Sequence, residues 1–336
     1  MSMVLDRRRV LQIGGLIGLA GAVALPVWAK TRHGLWDQFR ARFLSPEGRI
    51  VDNGNGGISH SEGQGYGLLF AWQAGDRNAF AAMARWTGSV LARSDTALHA
   101  WRYDPVATQP VADSNNATDG DLLIAWALSM AGRDWDIAAY RQRSADIRGA
   151  IRRECVVERD GRHLLLPGRA GFVEPQRVVL NPSYFVWPAL DAFAKLDGED
   201  TWRPVIADAM AVVALARFGP HRLPSDWIEL TGADAVAPAK GWPPRFGFDA
   251  IRVPLYAAMG GRLLLVADIA AFWRGRVAQA QALPAWVDVT SGEEAAYPLS
   301  PGGQSVASRL LGLTLPADLS ADYYAAALQM LAATPA

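Results

Sequence analysis

From residue 33 onward the apolar side chains return every three or four positions in segment after segment, the period of a helix with a buried face rather than of a strand. The pattern predicts eleven helices, over 33–43, 63–74, 77–93, 119–132, 135–153, 182–196, 201–218, 253–259, 263–281, 304–313 and 321–332. Alternation of period two is confined to Val156–Glu158, His163–Leu166 and Phe172–Glu174, and Asp160-Gly161 between the first two is a hairpin dipeptide. The expectation is an all-α protein with one small β-hairpin excursion.

Loops rich in Gly, Pro and Asn lead into a helix at Glu62, at Asp119, at Asn181-Pro182, near Asp249 and near Pro301-Gly302-Gly303. The intervals are about 50 to 70 residues, room for two helices and their connection. If each pair is antiparallel, every second helix starts at the same end of the molecule. Closing the pairs into a ring gives an α/α toroid whose common end gathers Glu62, Asp119 and Asp249. Composition does not change within residues 30–336, which read as a single domain.

Residues 1–29 read differently. Arg7-Arg8-Arg9 precede an apolar run from Ile13 to Val27, and Val27-Trp28-Ala29 offers a small-residue cleavage site, the layout of a signal peptide with a twin-arginine flavour. A run of about 15 residues is short for a membrane span of roughly 20, and this one is interrupted by Gly14, Gly15, Gly18, Gly21 and Pro26. The expected product is a periplasmic or secreted protein without stable membrane insertion.

Of the 336 residues 51% are hydrophobic, enough for a large core, and 33 basic groups balance 33 acidic ones. With no basic run to neutralise phosphates, nucleic acid is not expected as a partner. Cys155 is the single cysteine, so no intrachain disulfide can form, and His33, His60, His99, His163 and His221 lack metal-ligand spacing. HExxH, CxxC, phosphate-loop and GxSxG motifs are all missing from the sequence, and neither a metal nor a cofactor is expected.

Four segments concentrate polar groups at helix starts. In GISHSEGQGYGLLFAW, Gly57 to Trp72, Glu62 is followed by Gly63, Gly65 and Gly67, each costing up to roughly 1 kcal/mol against Ala in a helix interior. Ser59-x-x-Glu62 and Ser61-x-x-Gln64 both fit a capping box, which would make Glu62 structural. Alternatively the glycines let a ligand or another backbone come close beside a working carboxylate. NNATDGDLLIAWAL, Asn115 to Leu128, puts Asp119 and Asp121 in a first turn with Asp113 close before them. One such acid suits the helix dipole, by about 0.3 to 1 kcal/mol, and the group exceeds that need. RFGFDAIRVPLYAAM holds Asp249 and Arg252 just ahead of Pro254, as a local ion pair or as part of a site. In LNPSYFVWPAL, Asn181 and Pro182 read as N-cap and first helical residue, with Tyr184 one turn further in.

Together these segments resemble the motifs of glycoside hydrolase family 8: SEGQGYG with Glu62, ATDGDLLIAWALSMAGRDW with Asp119, NPSY with Tyr184 and FDAIRVPLY with Asp249, in order and at compatible spacing. Within that family they are similar to the periplasmic endoglucanases that accompany bacterial cellulose synthases. The resemblance implies an (α/α)6 barrel with an open cleft for a β-1,4-glucan chain and, as a possible partner, a cellulose synthase complex. It implies Glu62 as general acid, Asp249 as the general base that activates water in an inverting hydrolysis, and Asp119 as the aspartate that holds the central sugar in a distorted ring. Tyr184 and Arg252 fall beside these as positioners of the water and the base, and Asn115 is counted with the substrate-binding residues. Ser129 stands where the family's helix signature has an apolar residue.

The chemistry agrees with that assignment, because glycoside cleavage needs one protonated and one ionised carboxyl whose environments separate their pKa values. Among the tryptophans, Trp72, Trp86, Trp126, Trp187, Trp202 and Trp273 lie in helical stretches and are expected in the core. Trp101, Trp227, Trp242 and Trp286 lie in loops, where a flat ring can stack on a pyranose. Trp101, in HAWRY ahead of Asp119, is the leading sugar platform. Xylan, mixed-linkage glucan and chitosan are alternative substrates for the same reaction. An alternative of another class is a non-catalytic glycan-binding scaffold in a polysaccharide export machine, which would need neither an acid nor a base.

Overall fold

The computed structural model describes residues 34–334, so the signal-peptide reading of residues 1–29 lies outside the described residues. Among the described residues all eleven predicted helices are present: α1 over 34–43, α2 Ser61–Ala74, α3 Arg77–Trp86, α4 Thr118–Asp134, α5 Ala138–Glu154, α6 Trp187–Asp197, α7 Glu199–Leu215, α8 Arg252–Met259, α9 Ala267–Ala278, α10 Pro301–Leu311 and α11 Tyr323–Ala332. No helix among the described residues is long and apolar enough to cross a membrane.

The helices sort into two rings by how much of their circumference is buried. In α2 every residue from Gly63 to Ala71 is buried, and in α11 every residue from Ala325 to Ala332. A helix covered on all sides must stand inside other helices. By contrast α7 buries only the stripe Trp202, Val205, Ala209, Val212 and Val213, the signature of an outer helix with one face to water. The inner ring is α2, α4, α6, α8, α10 and α11, and α1, α3, α5, α7 and α9 lie outside it.

Strict up-and-down alternation fails at the last step. Gly302 at the start of α10 abuts the Ala325 backbone at the start of α11, and Arg309 near the end of α10 donates to the carbonyl of Ala332 at the end of α11, 2.8 Å. These two helices are therefore parallel, and residues 313–322 carry the chain back without a helix. The missing outer helix is replaced by α1 from the other end of the chain. Phe39 packs on Phe70 of α2 and on Tyr323 of α11, with ring centroids 5.1 and 6.2 Å apart. The chain's first described helix thus covers the seam where its last helix meets α2.

The β structure exceeds the predicted hairpin. After a short antiparallel pair, β1 Ser59–His60 and β2 Arg102–Tyr103, that hairpin is present as β3 Val156–Arg159 and β4 Arg162–Leu165. Phe172–Glu174, however, contributes not to it but to a separate four-stranded antiparallel sheet in the order β5 Val173–Glu174, β6 Arg177–Leu180, β7 Ile228–Gly232, β8 Ala235–Pro238. Strands of two to five residues give too few positions for alternation to show. The helix expected over 182–196 is also divided: a 3-10 turn spans Pro182–Tyr184, and α6 starts afresh at Trp187. Its start lies deep in the barrel, where a Cβ on Gly260, just past α8, would come within 2.5 Å of Trp187 Cβ. The 3-10 turn is left at the common end, beside the other helix starts.

Glycine sets the spacing of α2 and α4 there. A Cβ on Gly120 would collide with Ser61 Oγ and reach 2.7 Å from the Glu62 amide, and one on Gly65 would reach 2.5 Å from Leu123 Cβ. The helices approach along their glycines, and the side chains beyond them, Glu62 and Asp119, become neighbours. Gly120→Ala is expected to force the two helix starts apart and destabilise the protein by about 1 to 3 kcal/mol, the usual cost of overpacking. Gly88→Ala meets nothing within 4 Å and is expected to be neutral or stabilising by up to about 1 kcal/mol. Urea denaturation of both variants checks the contrast; equal effects would mean that the helix contact has slack.

Candidate active site

All four sequence segments deliver their polar residues to one cleft at the N-terminal end of the inner ring. Its cavity of ≈ 220 Å³ is lined by Glu62, Trp101, Asp119, Tyr184, Asp249 and Arg252, among others. A larger cavity, ≈ 280 Å³, opens among α2, α3, α4 and α5, and its lining includes His99, Tyr140 and Arg143 but no carboxylate.

Glu62 sits in the first turn of α2, but neither predicted capping box forms. His60 is the N-cap, its Nδ1 accepting from the Gly63 amide at 3.1 Å. Gln64 turns the other way, accepting from the Ile50 amide at 2.6 Å and donating to Thr87 Oγ1 at 2.9 Å. With the caps supplied elsewhere, Glu62 is free to face the cleft. Its Oε1 accepts from Tyr66 OH at 2.9 Å and lies 2.7 Å from Arg252 Nη1. Tyr66 is one helical turn on, and its hydroxyl is also 3.0 Å from that of Tyr256.

Asp119 is the second residue of α4, 2% exposed, with Oδ1 held by the Gly120 amide at 2.8 Å. Asp121, equally buried, points elsewhere: it accepts from the His99 backbone and ring and from Asn116 Nδ2, at 3.1, 2.8 and 3.0 Å. The surplus of acids at this helix start is thus divided between the cleft and a structural network. Asp249 occupies the turn before α8, where Arg252 is the first helical residue.

Arg252 joins all three acids and so is more than a local partner of Asp249. Its Nη2 lies 3.0 Å from Asp249 Oδ1, 3.5 Å from Asp119 Oδ2 and 2.9 Å from Ser183 Oγ, while Nη1 reaches Glu62 and Tyr324 OH, the latter at 3.3 Å. Tyr184, in the 3-10 turn, sets its ring 5.9 Å from the guanidinium carbon. Asn181 caps that turn through Oδ1, as expected, and its buried Nδ2, which makes no hydrogen bond of normal length among the described residues, faces the Asp249 carboxylate.

One cation is shared by three crowded carboxylates, Asp119 buried, Glu62 mostly so and Asp249 31% exposed, and the acids differ accordingly. Burial and the neighbouring Glu62 push Asp119 well above the usual carboxylate range. For Glu62 burial acts upward too, but Arg252, then His60 and Tyr66, outweigh it and hold the group below its ordinary value. Burial also raises Asp249, with Arg252 opposing and Glu62 adding to the rise. The environments therefore push neighbouring carboxyls in opposite directions, the separation that acid–base chemistry on one bond requires.

Around the acids the loops supply aromatic rings. Trp101 lines the cleft, its indole nitrogen tied to Asp113 Oδ2 at 2.7 Å and its carbonyl accepting from the Ser61 amide at 2.9 Å. Trp227 lies 6.2 Å from Tyr184 and stacks between Phe172 and Trp242, centroids 5.9 and 5.4 Å away. Trp286 stacks instead under Arg245. Asn115 is not among the cavity's lining residues; its amide donates to the Ala170 carbonyl at 3.0 Å and its oxygen accepts from the Asn116 amide, which ties down the loop before Asp119. Tyr66, Tyr256, Ser183, Tyr324 and Asp226 belong to the site and were not singled out by sequence. Of these, only Tyr66 carried a signal, its spacing of one turn from Glu62.

The profile of glycosyl hydrolases family 8 matches residues 16–334. The chain belongs to this family. It is 43% identical to a probable endoglucanase of Novacetimonas hansenii over 88% of both chains, and 41% identical to an endoglucanase of Cellulomonas uda over 85% of this chain and 78% of that one. Its fold matches the crystal structure of the endo-β-1,4-glucanase CMCax from Acetobacter xylinum with a TM-score of 0.85 and 42% identity, covering 90% of this chain and 97% of that one. Membership makes this family 8 protein a glycoside hydrolase built as an (α/α)6 barrel, and its inner ring of six helices is that architecture.

The raised Asp119 gives a stability signature. Its folded pKa lies above the unfolded value of about 3.9, so the native state binds the extra proton and stability falls as pH rises above that value. Asp119→Asn removes this term. Urea midpoints measured near pH 5 and near pH 8 are expected to drop less in the variant than in the unsubstituted protein; equal drops would mean that Asp119 titrates normally.

Proposed function

We propose that the protein is an endo-acting β-1,4-glucanase that hydrolyses cellulose with inversion, with Glu62 as general acid and Asp249 as general base. The observation that carries the reading is the bridge between them: hydrogen-bond contacts of 2.7 and 3.0 Å join the two carboxylates to the two terminal nitrogens of one guanidinium. That bridge sets an acid and a base on one cation, within reach of one glycosidic bond; inversion is what the family resemblance implies, and the anomer released first decides between it and retention. The endoglucanase names of relatives more than 40% identical support the substrate.

The proton for the leaving oxygen is carried by the Glu62–Asp119 pair. At rest Asp119 holds it, while Arg252 keeps Glu62 ionised. A sugar entering the cleft competes for Arg252, the attraction on Glu62 weakens, and the proton passes to the carboxyl nearer the glycosidic oxygen. Asp119 then serves the central sugar, with Tyr184 and Arg252 orienting the water and Asp249. Trp101 supplies a stacking platform for a glucose ring.

Glu62→Gln is expected to retain the fold and glucan binding and to lower the rate by about 10² to 10⁴. Asp249→Asn is expected to abolish hydrolysis in a way that azide partly rescues, and Asp119→Asn to be slow without rescue. Proton NMR in the first minutes of cello-oligosaccharide cleavage should show the α-anomer; an initial β-anomer would remove Asp249 from the role of base. Reducing-sugar release from xylan, mixed-linkage glucan and chitosan beside soluble β-1,4-glucan tests the preference for the last.

The arginine-led apolar segment at residues 7–27 supports export, and the resemblance to endoglucanases that accompany cellulose synthases supports a role in trimming glucan during cellulose synthesis and export. Fractionation of cells expressing the full chain is expected to recover protein beginning near Lys30 from the periplasm. Intact precursor retained in the membrane would overturn cleavage and favour an anchor.

A further inference from the structure

Asp226 lies outside every helix start, immediately before Trp227, and its carboxyl is spent on a loop it does not belong to. Its Oδ1 accepts from the Gly247 amide at 3.0 Å and from the Ala250 amide at 2.7 Å. These two amides flank Asp249. The backbone of Asp226 is itself anchored, its amide donating at 2.6 Å to the carbonyl of Arg245, in the short strand β9 Arg245–Phe246 that enters the loop. Between these two points the loop winds into α8, the Ile251 amide bonding to Gly247 O and the Arg252 amide to Asp249 O, both at 3.0 Å. The carboxyl has room because residue 247 has no side chain: a Cβ there would come within 2.9 Å of Asp226 Oδ2 and 3.4 Å of Trp286 Cβ.

We propose that Asp226 is a positioning residue for the hydrolytic reaction, gripping the backbone on both sides of Asp249 so that the base carboxylate is aimed at its water. The proposal rests on the reading of Asp249 as the base. It deepens that reading because the other tie from outside, Tyr324 OH donating to the Phe248 carbonyl at 2.6 Å, holds the backbone on one side of Asp249, whereas Asp226 holds it on both. The neighbouring Trp227 works in the same direction, its indole nitrogen lying against the Asp249 carboxylate.

The grip also carries charge. The charged groups facing Asp226 are Asp249 on the loop it holds and Arg252 at the start of α8; the Arg245 guanidinium of β9 turns away onto the Trp286 ring, 3.8 Å from its centroid. Burial, and then Asp249, push Asp226 up to about 7. Below that value it is neutral and still accepts both amides through Oδ1. Above it a second negative charge appears beside the Asp249 carboxylate, whose own charge helps to raise Asp226, so the pH profile of kcat carries the titration of Asp226.

Steady-state kinetics on soluble β-1,4-glucan, with thermal denaturation of each variant, test the proposal. Asp226→Ala is expected to lower kcat on the order of 10²-fold with KM little changed, the size of effect seen when a reacting group is misplaced by about 1 Å. Asp226→Asn keeps an acceptor for both amides and is expected to recover most of that loss, with the inflection that Asp226 gives the kcat profile at about pH 7 removed. Gly247→Ala, which pushes the carboxyl out without removing it, is expected to copy the kcat loss and decides the matter if the Asp226→Ala protein is unfolded. A kcat for Asp226→Ala within about two-fold of the unsubstituted enzyme would overturn the proposal, as would an Asn variant as slow as the Ala variant with an unchanged pH profile. Asp249→Asn separates the two levels of argument: turnover retained there defeats the base assignment itself, whereas turnover lost there and kept in Asp226→Ala defeats only the positioning role.

Discussion

A single buried cation governs this site. Arg252 is 4% exposed and faces Glu62, Asp119 and Asp249 at once. Taking three carboxylates out of water would be prohibitive without an opposite charge, and even with one the cluster cannot ionise fully. The shortfall is what differentiates the acids. Nearness to the guanidinium lowers Glu62, while burial and the neighbouring Glu62 push Asp119 the other way. Unlike chemical behaviour in similar side chains follows from where each stands relative to one arginine, and three helix starts in the ring, those of α2, α4 and α8, each bring an acid to it.

Close backbone approach is the means. The glycines that looked like a loss of helix stability in α2 are recouped in packing: Gly65 admits Leu123, Gly67 admits Met83 and Ile50, and Gly63 admits the Tyr323 hydroxyl, each within 3 Å of where a Cβ would sit. Space for a sugar is not what they provide. The acids come together because the helices carrying them do, and a methyl group at the contact would widen the site as surely as it would disturb the core.

Much of this is legible in the amino-acid sequence. Helical periodicity locates every helix because burial of one face or all faces leaves a regular mark over ten or more residues. The cleft acids are legible for a related reason, since each is tied to a helix start, and helix starts announce themselves through Gly, Pro, Asn and Ser. What escapes lacks such a mark. Strands of two to five residues show no period, and the parallel turn of α11 depends on contacts between Gly302 and Ala325, which no local pattern encodes. Asp226 sits in a loop and reaches residues more than twenty positions away; its importance arises only where the chain folds back on itself. The serine capping boxes mislead because His60, between the two serines, takes the N-cap by offering its ring nitrogen to the Gly63 amide, and nothing in the spacing says which acceptor wins.

The seam between α2 and α11 has a consequence for the making of the protein. The inner ring closes only when Tyr323–Ala332 is in place, and α1, the earliest helix described, has its aromatic face divided between α2 and that last helix. A chain still emerging from the ribosome therefore has no ring: the apolar sides of α2 stay uncovered, and the tyrosine that will contact Arg252 has yet to be added. Contacts spanning nearly the whole length form late, because the intervening loop must be closed first. Folding is thus coupled to completion of the chain, and a truncated product would be both inert and sticky, an easy object for the cell's proteases to recognise.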